Sequence, residues 1–125
     1  MIEQAKLIQN PQKLSRKCKS SEVSSVLITS KGNLFYGLSI DTLCGLGFCA
    51  EQSAIASMIA HGESQIKKII ALSKEGKILP PCGRCREFMF QINHDNLKTK
   101  IIIAEKKIVS LEELLPHRWQ EYKFH

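Results

Sequence analysis

Three of the five cysteines stand at the starts of two segments patterned as helices, Cys49 at one and Cys82 with Cys85 at the other. A helix start carries partial positive charge and free N–H groups, which stabilise a thiolate placed there. Cys82 and Cys85, three residues apart on a first turn, can bind one ion together. Cys49 completes a three-thiolate set when the two helices lie side by side, so this spacing constrains the fold more than any other feature. The fourth position of a tetrahedral zinc ion then stays open to water. The cysteine count is odd, which argues against a disulfide framework. The opening Met-Ile-Glu-Gln-Ala-Lys lacks the basic region and apolar run of a signal peptide, so a reducing, cytoplasmic setting is expected.

The chain around these cysteines reads as strands alternating with helices. About residues 1–18 carry apolar Ile2, Ala5, Leu7 and Ile8 and predict an N-terminal helix interrupted by Pro11. Val23 to Thr29 is apolar and β-branched, Ser30-Lys31-Gly32-Asn33 is a turn, and Leu34 to Ile40 returns as the second strand of a hairpin. Gly45 and Gly47 break the pattern before Cys49. Ala50, Ala54, Ile55, Met58 and Ile59 then recur at helical spacing, with a stop near His61-Gly62. Ile66 to Ser73 is a buried strand, and Pro80-Pro81 precedes a helix with Phe88, Met89 and Ile92 on one face. Thr99 to Ala104 is a strand. In the run Val109 to Leu115, Ser110 is placed to cap a short helix that Pro116 ends. This order predicts a mixed sheet with helices on both faces, in one domain over residues 1–125.

Composition excludes some functions. No apolar run approaches the roughly 18 residues of a membrane span. The formal net charge is +6, but the basic residues are spread along the chain and alternate with acids. Phe35, Phe48, Phe88 and Phe90 all fall in apolar runs rather than among basic residues, so a nucleic-acid partner is not expected.

Glu51, two residues after Cys49, is placed to reach a zinc-activated water without ligating the metal. Hydrolytic deamination of an aminated ring needs three proton movements. Water loses one, the ring nitrogen gains one, and the departing amine gains one. A single mobile carboxylate can carry all three while zinc lowers the pKa of water. His-x-Glu followed by Pro-Cys-x-x-Cys, with a three-cysteine variant, is a zinc-deaminase signature. This chain has Cys49-Ala50-Glu51 and then Pro81-Cys82-Gly83-Arg84-Cys85.

On those motifs, with Cys49 to Ile55, Pro81 to Glu87, the Val23–Gly32 strand and turn, and the Glu113-Leu114-Leu115-Pro116 tail, the chain resembles the cytidine deaminase family from about Val23 onward. The resemblance implies a three-layer α/β/α sandwich around a five-stranded mixed sheet. It implies one Zn2+ per chain on Cys49, Cys82 and Cys85, with Glu51 moving protons. It also implies that the Ala50 N–H and the Pro80 carbonyl contact the base of a small-molecule substrate. Members of this size are usually homotetramers, with a dimer as the smaller alternative.

Three departures bear on function. The family usually has Arg after Cys-Ala-Glu to offset thiolate charge, and here Gln52 stands instead, leaving Arg84 or Arg86 as candidates. Where nucleoside-binding members carry Asn-x-Glu for the sugar hydroxyls, this chain has Ser39 and Asp41. The aromatic residue usual before the first strand is replaced by Ser20-Ser21-Glu22. The run Ile78 to Arg86 looks much like that of blasticidin S deaminase, a member acting on a cytosine-containing antibiotic. Trp119 falls near where the family often has a Phe reaching toward a site; a place in the chain's own core is the alternative. The rival readings of the cysteines are structural zinc with a fourth ligand from His61, His94, His117 or Cys44, a redox pair, and a non-catalytic zinc-stabilised binding module.

Overall fold

The computed structural model describes residues 1–119. Helix α1 (Ile2–Ile8) leads into strand β1 (Gln12–Ser15), then β2 (Cys18–Thr29), β3 (Leu34–Asp41), helix α2 (Ala50–Ala60) and β4 (Ile66–Ser73). Helix α3 (Gly83–Ile92), β5 (Lys100–Ala104), β6 (Lys107–Ser110) and the short α4 (Leu111–Leu114) follow. Single 3₁₀ turns occupy Leu43–Gly45 and His94–Lys98. No helix among the described residues is long and apolar enough to cross a membrane.

The strands form one six-stranded sheet. Its main run is β3-β2-β4-β5-β6, the five-stranded mixed sheet expected, and the short β1 is the addition. Gln12 pairs with Ser20, which also pairs with Ile40 of β3, so β1 lies along the same edge of β2 as β4. All pairings are antiparallel except β4 with β5.

Strand alternation divides the core between two faces. Leu27 and Ile69 face α2, α3 and α4 with Ala54, Ile55, Met58, Met89, Phe90 and Leu111. Val26 and Ile70, their immediate neighbours, face α1 with Ala5 and Leu72. The result is the three-layer sandwich.

Two expectations are corrected. The N-terminal helix does not run to about residue 18: it ends at Ile8, and the chain turns into β1. Pro11 lacks an N–H and cannot continue a helix. Asn10 donates its N–H to Ser21 Oγ at 2.7 Å, and β2 begins at Cys18 rather than Val23. Near the other end, residues 107–110 form β6, which pairs with β5 before the chain becomes helical. The Ser110 cap is as expected, with its hydroxyl accepting the Glu113 N–H at 3.2 Å.

The topology explains why the cysteines meet. Both β3 and β4 run antiparallel to β2, so they run parallel to each other. Helix α2 follows β3 and α3 follows β4 on the same face. Both helix starts therefore lie at one end of the sheet, where parallel strands deliver them.

Candidate active site

Gly37 sets how closely α2 approaches β3. A Cβ there would strike the Ala50 carbonyl oxygen and the Ala54 nitrogen. Phe48 then bridges back to β3, its N–H donating to the Ile40 carbonyl at 2.9 Å and its carbonyl accepting the Ile40 N–H at 3.1 Å. These contacts fix the residue that follows, Cys49, as the N-cap of α2. Cys82 is the N-cap of α3, and Cys85 stands in its first turn.

The sulfurs of Cys49 and Cys82 are 3.6 Å apart, those of Cys82 and Cys85 3.5 Å, and all three lie within 4.8 Å of one another. Four ligands at the Zn–S distance place neighbouring sulfurs about 3.8 Å apart, so the cluster fits zinc. Cys85 is buried, Cys49 half-buried and Cys82 exposed. Burial, then the nearby Glu51 charge, pushes the Cys85 thiol well up, and burial also raises Cys49. For Cys82, burial is outweighed by hydrogen bonds from the backbone and side chain of Cys85, and the thiol is lowered. Such a set ionises together only around a cation, which is the donor chemistry of a zinc site.

Glu51 is 6% exposed, and burial raises its pKa above the ordinary carboxylate value. It sits on the wall of a cleft of about 380 Å³ with Cys49, Ala50, Pro80 and Cys82. Ser39 and Asp41 line the same cleft, and Cys85 lies buried behind the lining. The structure thus brings Ser39, Asp41, Cys49, Ala50, Glu51, Pro80 and Cys82 to one cleft, with the Cys85 sulfur 3.5 Å from that of Cys82.

Some roles look different in three dimensions. The Ser39 hydroxyl is buried and accepts the Val23 N–H at 2.9 Å, where the β2–β3 register shifts and Ser21 adopts φ +64°. Thr42, Phe48 and Leu79 also line the cleft. The Thr42 hydroxyl oxygen is buried with no hydrogen-bond partner among the described residues. Nothing in the spacing of these residues announced them, because a loop position becomes a wall only once both helix starts are placed. Trp119 is exposed rather than in the core, and its backbone N–H donates to Glu87 at 3.1 Å.

Structural zinc requires a fourth protein ligand. Among the described residues the cluster able to hold an ion consists of the three cysteines. His61 Nδ1 is engaged with the Ser57 carbonyl at 2.8 Å, and His94 stacks on Phe90. Cys44 is exposed and outside the cluster.

Three sulfurs able to hold an ion, beside a buried carboxyl on the adjoining cleft wall, have the donor chemistry of a metal-assisted hydrolase. The sequence profile described as "Cytidine and deoxycytidylate deaminase zinc-binding region" matches residues 2–101. The chain is 32% identical to the cytidine deaminase of Mycoplasma genitalium over 95 residues, covering 71% of this chain and 72% of that protein. It is 26% identical to the cytidine deaminase of Halalkalibacterium halodurans over 98 residues, covering 76% and 74%. The crystal structure of cytidine deaminase from Mycobacterium leprae superposes with a TM-score of 0.77 at 25% identity, covering 94% of this chain and 95% of that one. That from Mycobacterium tuberculosis gives 0.78 at 21% identity, covering 95% and 94%, a likeness of fold. The chain belongs to the cytidine and deoxycytidylate deaminase family and is a zinc-dependent hydrolytic deaminase.

Proposed function

We propose that this enzyme deaminates cytidine or a closely related cytosine nucleoside to the uracil form, releasing ammonia. One observation carries the reading: the buried Glu51 shares a cleft wall with Cys49 and Cys82, two members of a three-sulfur cluster able to hold an ion. Cys49, Cys82 and Cys85 hold the zinc. When bound, zinc acidifies water and steadies negative charge on oxygen. Glu51 takes one proton from the attacking water and passes it to ring N3; it then takes the second from the hydroxyl formed at C4 and gives it to the amine, as the C–N bond breaks and C4–O becomes a carbonyl. The Ala50 N–H and the Pro80 carbonyl orient the base, as the family resemblance implies, and Asp41 meets the sugar.

A second reading has its own support. Ser39 spends its oxygen on Val23, so it has less to offer a sugar hydroxyl than the Asn usual in the family. This favours another cytosine-bearing compound, such as blasticidin S, as a rival substrate. We read residues 1–125 as one domain. The family precedent supports a homotetramer, and the free state of all five cysteines suits the cytoplasm.

The test is ammonia release from cytidine, deoxycytidine, cytosine, blasticidin S and guanine by the zinc-loaded enzyme. The proposal expects turnover on the cytosine nucleosides. Turnover on guanine alone, or on nothing in the panel, overturns it.

A further inference from the structure

We propose that Thr42 pairs its hydroxyl with a sugar hydroxyl of the substrate and so helps this chain select a nucleoside over a free base. The inference rests on the function proposed above and names a specificity-determining residue for its sugar end. Ser39 lines the cleft, but its oxygen is committed to the Val23 N–H at 2.9 Å. Thr42 offers a second hydroxyl on the same lining, and this one is uncommitted.

Thr42 follows the last residue of β3 and precedes the 3₁₀ turn Leu43–Gly45. Cys44 and Gly45 both have left-handed backbone, at φ +60° and +66°, so the chain curls here instead of continuing the strand. Asp41 and Thr42, which would point to opposite sides of a strand, both line the cleft. The far end of the loop is held against β3. A Cβ on Gly47 would strike the Ile40 carbonyl oxygen, and Phe48 exchanges two hydrogen bonds with Ile40. The segment that carries Thr42 is thus anchored to β3 at both ends.

Thr42 is the N-cap of the turn, a place where a hydroxyl ordinarily accepts a backbone N–H, and it makes no such bond. Its oxygen is buried and has no hydrogen-bond partner among the described residues. An unpaired buried hydroxyl is costly, and most in native proteins find a partner. The residue as a whole is half-buried and lines the cleft. Rotation about χ1 exchanges the hydroxyl with the methyl group, and no bond within the described fold has to break first. A hydroxyl can both donate and accept, so a sugar hydroxyl supplies the missing partner. The Asp41 carboxylate, exposed on the same lining, accepts from a second one. Two such groups on consecutive residues suit the adjacent hydroxyls of a ribose ring, which free cytosine lacks.

The experiment compares wild type, Thr42→Val and Thr42→Ser in urea melts and in steady-state kinetics. Cytidine is the substrate, and 2′,3′-dideoxycytidine, which lacks both ring hydroxyls, is measured as a competing ligand. Thr42→Val should fold as stably as the wild type or more so, because a methyl group replaces an unpaired buried hydroxyl. It should lose about three- to tenfold in kcat/KM for cytidine, the worth of one neutral hydrogen bond. Thr42→Ser should keep most of the wild-type value, and all three proteins should bind the dideoxy compound alike. Three results overturn the proposal: unchanged kinetics on cytidine, an equal loss on both ligands, or a destabilised Thr42→Val. The last would show that the hydroxyl serves the fold. A wild type that turns over no cytosine nucleoside would refute the proposed function itself, a failure distinguishable from these.

Discussion

The Ser39 hydroxyl accepts the Val23 backbone N–H at 2.9 Å, pinning β3 to the irregular stretch of β2 at the edge of the cleft. The Ser39 side chain is buried and the bond part-buried, so removing the hydroxyl takes the Val23 N–H's partner away. Ser39→Ala should therefore cost about 1–3 kcal/mol in urea unfolding. Its effect on KM for cytidine should be smaller, about threefold or less. A large rise in KM with stability unchanged would assign the hydroxyl to the substrate instead.

Gly37 is a test of how the cysteines are brought together. A methyl group there collides with the Ala50 carbonyl and the Ala54 nitrogen, both backbone atoms that cannot swing aside. Gly37→Ala should push α2 off β3, lower stability by about 3 kcal/mol and reduce zinc content, although position 37 touches no sulfur. Metal analysis and a urea melt check it together. Full zinc content at wild-type stability would contradict the packing argument.

Each thiol should be necessary for the metal. Replacing Cys85, the buried member, with Ser puts a weaker ligand behind the cluster, and zinc retention in chelator should collapse. Stripping zinc from the wild type should lower the melting temperature, because binding energy is shared with folding. A Cys18→Ser variant is the control and should keep its zinc. Loss of zinc from the control but not from Cys85→Ser would relocate the site.

The burial of Glu51 sets a pH dependence with a definite sign. Its folded-state pKa lies above the unfolded value, so the folded protein binds that proton more tightly. The stabilising contribution is complete below the ordinary carboxylate value of about 4.3 and is lost as pH rises through the raised value. In the metal-free protein, Glu51→Gln should thus gain stability over wild type as pH climbs above the ordinary carboxylate value. Urea melts across that range measure it. Parallel curves for the two proteins would show that the carboxylate is not desolvated.

The chemistry was more legible in the sequence than the architecture around it. Cys49, Cys82, Cys85 and Glu51 were readable because thiolate ligands and a proton carrier impose short spacings at helix starts, and those spacings are local. The strand Ile66–Ser73 was bounded correctly since it holds the apolar run Ile69-Ile70-Ala71-Leu72, buried on both faces. Strands β1 and β6 were not, because each is four residues long, and Gln12–Ser15 is exposed throughout. Such strands are stabilised by pairing with a neighbour, which periodicity does not reveal. The commitment of Ser39 to Val23 was hidden for a similar reason. It depends on a register shift between two strands that no single segment encodes.

The central claim is that Glu51 moves the protons and does not hold the metal. The most direct test is to measure zinc content and ammonia release from cytidine for the wild type and Glu51→Gln side by side. Both proteins should carry one zinc per chain, and the variant should lose on the order of 10²–10⁴-fold in turnover, the contribution of one general acid/base. Loss of zinc from Glu51→Gln, or near-normal turnover without the carboxylate, would contradict the account.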